Sequence, residues 1–137
     1  MNTINVVCAV MIHDNKVLAV KRGKDMSHSG QWEFPGGKIE ENESEKEALI
    51  REIKEELTIE VVPERKLATV EYAYPNRTII LLPWICTSSE YSAIELSEHE
   101  IHQWCTVEEL LFLHWCEADI PVVKEIVELL TVSGSGR

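Results

Sequence analysis

The sequence predicts an α/β sandwich, a mixed β-sheet held between helices. Three observations lead there. Ile4 to Ile12 is an almost unbroken apolar and β-branched run, the pattern of a strand covered on both faces. Leu49, Ile50, Ile53 and Leu57 recur at the spacing of one helix face. Short strand patterns and a closing apolar helix follow, without an internal repeat or an interdomain linker. The length, 137 residues, fits one domain over 1–137.

In chain order, the first strand turns at His13-Asp14-Asn15 into a second over Lys16 to Lys21. Arg22 to Gln31, with its glycines, serines and charges, reads as a loop. Trp32-Glu33-Phe34 is a short extended piece feeding a Pro35-Gly36-Gly37 turn, where backbone can approach a ligand closely. A helix is expected from about Glu43 to Leu57 and a short strand over Ile59 to Val62, with Pro63 as punctuation. Lys66 to Tyr74 and Thr78 to Cys86 read as a hairpin, whose Pro83 suggests an edge or a bulge. Thr87 to Ser97 is a polar loop and Ile101 to Cys105 a last strand. Thr106 with Glu109 is a capping box for a short helix over Val107 to Leu111. Asp119 is a good N-cap for a closing helix to Leu130, with Pro121 in its first turn. Residues 131–137 read as a frayed tail.

The central helix has an unusual charge layout. At about 100° per residue, Glu52, Glu55 and Glu56 share an arc of roughly 100° beside the apolar stripe. Like charges at this spacing repel, and acids in a last turn oppose the helix dipole. Selection for helix stability alone would not end a helix this way. Either the face is merely solvated in a Glu-rich chain, or it holds a hard divalent cation such as Mg²⁺ or Mn²⁺.

Composition narrows the partners. The net charge of −11 argues against a nucleic-acid polymer or an anionic membrane. An anionic substrate would need metal ions or local basic residues to receive it, and Arg22 is the natural phosphate contact unless it is a plain surface arginine. With no apolar run near 18 residues and no signal-peptide pattern, a cytoplasmic location is expected. Cys8, Cys86, Cys105 and Cys116 form no Cys-x-x-Cys pair and read as free thiols of a reducing compartment. His99-x-x-His102-x-x-Cys105 lacks a second ligand pair and falls largely in a strand, which argues against zinc.

From Gly37 the chain reads five residues, Glu43, seven residues, then Arg51-Glu52-Ile53-Lys54-Glu55-Glu56-Leu57-Thr58-Ile59. This resembles the Nudix box, Gly-x5-Glu-x7-Arg-Glu-U-x-Glu-Glu-x-Gly-U, with U a bulky aliphatic. Every fixed position matches except the last glycine, here Thr58, a residue ill-suited to a left-handed helix exit. The resemblance implies the same α/β/α sandwich. It also implies that Glu52, Glu55 and Glu56 are the catalytic acids and hold Mg²⁺ (Mn²⁺ as the variant), with the Gly36 carbonyl as a further ligand. Glu52 would be the base that positions or deprotonates water. Gly37, Glu43 and Arg51 would support the acids, Arg51 being spaced to pair with Glu47 and Glu55. A distal metal ligand matches Glu98, with Glu100 as fallback.

The likeness extends along Trp32 to Lys38, Tyr72 to Arg77 and Ala118-Asp119 to the MutT-like branch, the 8-oxo-dGTP diphosphatases and CTP pyrophosphohydrolases. That branch cleaves nucleoside triphosphates to monophosphate and pyrophosphate. Carried over, Phe34 lines the nucleoside pocket and Asp119 reads the base, while Arg22, Glu33 and Lys38 join the substrate contacts. Tyr74 would mainly pack. An accepting Asp119 leaves guanine-like and cytosine bases both open. Two other readings stand beside this one. An ADP-ribose or dinucleotide hydrolase usually has more chain, and a non-catalytic nucleotide sensor typically loses acids from the box. The expected partner is a nucleoside triphosphate, the protein a monomer or homodimer.

Overall fold

The computed structural model describes residues 2–135, with side chains described as far as residue 131. β1 (Asn2–His13) is its axis. β2 (Lys16–Lys21), β3 (Trp32–Glu33), β4 (Gly36–Lys38), β5 (Val62–Lys66), β6 (Val70–Tyr74), β7 (Arg77–Thr87) and β8 (Ile101–Cys105) complete an eight-stranded mixed sheet. β1 runs parallel to β7 and antiparallel to β4, and its last two residues turn antiparallel onto β2. Asp14 and Asn15 both take left-handed φ in that turn, as a tight two-residue hairpin requires. β2 carries β3 on one side and β8 on the other.

Why the middle of β1 is apolar at every position is plain from its two faces. Val7, Ala9 and Met11 pack with Leu49, Ile53 and Leu57 of α1 (Glu45–Leu57). Cys8 and Val10 pack on the other side with Leu110 of α2 (Val107–Phe112) and with Val122, Val123 and Ile126 of α3 (Ile120–Ser135). All five strand residues are essentially removed from water. The sheet is therefore covered on both faces, as the unbroken run predicts.

Several elements differ from expectation. The Gly36-Gly37 turn is instead strand β4. Neither glycine has a left-handed φ, and their small size admits close approach: a Cβ on Gly36 would strike the β1 backbone at Val7 and Cys8. α1 starts at Glu45, because Ser44 and Glu47 form a capping box that leaves Glu43 in the loop. The strand expected at 59–62 lies at Val62–Lys66, and Pro63 is inside it, beside a register shift. Pro83 is not at an edge. β7 is a central strand, and Pro83 sits where its neighbour changes from β6 to β5. α3 runs past Leu130 to Ser135, so residues 131–135 of the expected tail are helical, while 136–137 lie outside the described residues. β2, β8 and the capped start of α2 are as expected, and all four cysteines are free and buried.

Candidate active site

Two sheet pairings assemble the site. β8 lies against β2, which brings residues 98–100 beside Lys21 and Arg22: Glu100 N donates to Lys21 O at 2.8 Å. Trp32 N donates to His114 O, and Cys116 N to Trp32 O, each at 2.8 Å, which draws residues 114–119 against β3. The start of β4 then leads from this point to the acidic helix.

On α1, Arg51 is the organiser. Its guanidinium grips both Glu43 oxygens, Nε to Oε2 at 2.6 Å and Nη2 to Oε1 at 2.9 Å. Nη1 donates to Glu52 Oε2 at 2.9 Å and reaches Glu55 at 3.3 Å, while Nη2 also holds Lys38 O. This grip pushes Glu43 down to about 2. Glu47, expected as another partner, is occupied by the capping box.

The three box acids are not equivalent. Glu55 is exposed, its side chain 59 % accessible, whereas Glu52 is at 15 % and Glu56 at 23 %. Glu52 rests on Gly37, whose missing Cβ leaves room for the carboxylate. Burial raises its pKa, the Arg51 bond opposes that, and Glu55 adds to it. Glu56 accepts from Gly36 N at 3.3 Å. Burial, then the charges of Glu33 and Glu52, push it up to about 8, with a further contribution from Glu98. Ser97 N donates to Glu56 O, which holds the segment bearing Glu98 along the end of α1. Glu100 instead faces Lys21 at 3.8 Å.

The cleft runs from Gly36, Gly37 and Glu56 to Phe34, Cys116 and Asp119, with Tyr74 and Arg77 on its far wall. Glu33 is bound by Arg22 Nη1 through both oxygens, at 3.0 and 2.8 Å, and by His99 Nε2 at 2.7 Å. Phe34 stacks on Trp115 at 4.8 Å. Asp119 is buried, directly before α3, and its Oδ2 accepts from Phe34 N at 3.0 Å, a partner far away in the chain. Burial first, and Glu33 second, push it up to about 8. The Cys116 thiol, close to both acids, is pushed up to about 12 by burial and stays protonated. Lys38 is exposed and stands outside the cleft lining. His99, singled out only for a zinc spacing that was set aside, instead contacts Glu33, a pairing that no local signal gives. Arg77 was within reach, lying in the Tyr72 to Arg77 stretch already singled out.

Among the described residues the one trio of close metal-ligating atoms is Glu33, Cys116 and Asp119, not the acids of α1, but the chemistry of the α1 donors suits a hard divalent cation. Glu52, Glu56 and Glu98 supply only oxygens, and Glu56 is raised in part by the other two, a repulsion that a cation would relieve.

A NUDIX domain model matches residues 1–126. The chain is 35% identical over 129 residues to a CTP pyrophosphohydrolase of Escherichia coli K12, covering 94% of this chain and 95% of that one. It is 41% identical over 73 residues to an 8-oxo-dGTP diphosphatase of Proteus vulgaris, covering 53% and 65%. Among solved structures, the E. coli ORF135 protein superimposes with a TM-score of 0.81 at 34% identity, over 94% of this chain and 91% of that one. A MutT protein from methicillin-resistant Staphylococcus aureus 252 gives 0.75 at 42% identity, over 93% and 98%.

Proposed function

The chain belongs to the Nudix family, and from that premise we propose that it hydrolyses a nucleoside triphosphate to the monophosphate and pyrophosphate with Mg²⁺. The observation that carries this reading is one continuous cleft with Glu56 of the acidic helix face at one end and an aromatic, carboxyl-bearing pocket at the other. That is the polarity of a nucleotide lying phosphate-first toward α1. The relatives named above make an oxidised dGTP, or CTP and dCTP, the substrates to test first.

Glu52, Glu56 and Glu98, with Glu55 at the rim and the Gly36 carbonyl, would hold the metal. When bound, it supplies charge neutralisation on the phosphates and a more acidic water. Glu52 would position or deprotonate the attacking water, its carboxylate held by Arg51 at Oε2. Arg51, fixed by Glu43, orients Glu52 and Glu55 without touching substrate. Phe34 packs the nucleoside, and Asp119 and Glu33 face its polar edge. Arg22 has its guanidinium committed to Glu33 and Ser27, so in this arrangement it shapes the pocket more than it binds phosphate. Arg77 is the other cation on the cleft wall. We further infer one domain acting in the cytoplasm as a monomer or homodimer.

The test is pyrophosphate release from oxidised dGTP, dGTP, dCTP and CTP with Mg²⁺. Chelation should abolish release, and Glu56→Gln should lower kcat by orders of magnitude while the protein stays folded. Release of inorganic phosphate and a diphosphate would reject the cleavage position.

A further inference from the structure

We propose that His99 is a positioning residue that ties the acid of the nucleoside pocket, Glu33, to the acid of the metal-holding face, Glu56. The inference rests on the reading above and concerns how its two ends are held in register.

The imidazole lies between two carboxylates that belong to different parts of the fold. Nε2 is 2.7 Å from Glu33 Oε2, so the N–H on that nitrogen donates to the carboxylate. Nδ1 is 4.0 Å from Glu56 Oε1 and has no hydrogen-bond partner among the described residues. The side chain is 1% exposed. Burying a polar ring this completely costs free energy unless its polar atoms are hydrogen-bonded, and here only Nε2 is.

The backbone fixes the ring from both sides. Ser97 N is bonded to Glu56 O, at the end of α1. Glu100 N is bonded to Lys21 O, next to the Arg22 that clasps Glu33. His99 therefore stands on a short bridge with one foot on each half of the cleft. Its Nε2 edge holds Glu33 where Arg22 also holds it. Its Nδ1 edge is too far for a hydrogen bond and acts as a polar wall, keeping Glu56 turned toward Gly36. A carboxylate set by such an outer partner changes metal affinity when that partner is removed.

The two edges can be separated with amides. The amide nitrogen of Gln sits near the Nε2 position of histidine and can donate to Glu33, while the amide oxygen of Asn, placed near Nδ1, presents an acceptor as that nitrogen does. Mn²⁺ affinity of the nucleotide-free protein, read by paramagnetic resonance of free Mn²⁺, reports the Glu56 side. The ranking of kcat/KM among oxidised dGTP, dGTP, dCTP and CTP reports the Glu33 side. His99→Gln should keep the ranking and weaken Mn²⁺ binding by roughly tenfold or more. His99→Asn should do the reverse, and His99→Phe should lose both. If Gln and Asn lose both readouts together in step with their loss of Tm, or lose neither, His99 is a core residue and the proposal is wrong. A wild-type protein that binds no Mn²⁺ and releases no pyrophosphate would instead overturn the underlying function.

Discussion

Asp119 and Glu56 are carboxyls whose surroundings oppose their charge, and each is pushed up to about 8, chiefly by burial. A raised carboxyl favours the folded state in its protonated form. The stability it contributes is therefore full below the ordinary carboxylate range and is lost as pH rises toward and through about 8. In chelator, Tm should fall across that window; Glu56→Gln or Asp119→Asn should flatten part of the slope, and a slope unchanged in both variants would reject the two shifts. Asn at 119 can still accept from Phe34 N–H, so Asp119→Asn should fold well, yet it brings a new donor to the pocket. The ranking among the four nucleotides should change. An unchanged ranking would leave Asp119 as the clamp on Phe34 alone. At this scale the sequence was informative about identities and poor about partners. Glu52, Glu56 and Asp119 could be singled out, but the Phe34 N–H that Asp119 holds could not, because nothing local points to a backbone N–H 85 residues away.

At the scale of the element, α1 was the most legible part of the chain, since the helical period and the motif spacing both lie in the sequence itself. Its start was displaced because Ser44 and Glu47 cap it more effectively than a start at Glu43 would allow. Its end holds the departure from the box. Thr58 does adopt a left-handed C-cap, φ 67°, and its hydroxyl donates to Glu95 O at 3.2 Å. A β-branched residue in that region is strained, by about 1–2 kcal/mol, and the hydroxyl bond returns about 1 kcal/mol. Thr58→Gly should thus raise stability slightly, by under about 1 kcal/mol, as denaturant titration would show; a clear loss would mean the Glu95 bond outweighs the strain. β4 was illegible for the opposite reason. Glycines carry no strand signal, and only the approach of β1 makes Gly36 to Lys38 extended.

For the molecule as a whole, the α/β sandwich could be read ahead because its parts are periodic, while the order of strands in the sheet could not, being set by pairings distant in sequence. The net charge of −11 also belongs to this scale, since it makes the anionic substrate dependent on cations for entry and reaction. Hydrolysis in ¹⁸O-water should label pyrophosphate, as attack at the β phosphorus requires; label in the monophosphate alone would move the attack to the α phosphorus and demand a different seating of the phosphates. The longest ladder, β1 with β7, sets Asn2 opposite Arg77 and Met11 opposite Cys86. During synthesis, β1 therefore leaves the ribosome with its permanent neighbour not yet made. α1, with its acids, emerges before the strand that completes the sheet beneath it. Closing so long a loop is slow, and an apolar run such as Ile4 to Ile12 is hazardous while it waits. The early hairpin onto β2 engages only the end of that run at Ile12, β4 pairs its middle from Val6 to Cys8, and the nascent sheet gains its longest ladder only once β7 has been made.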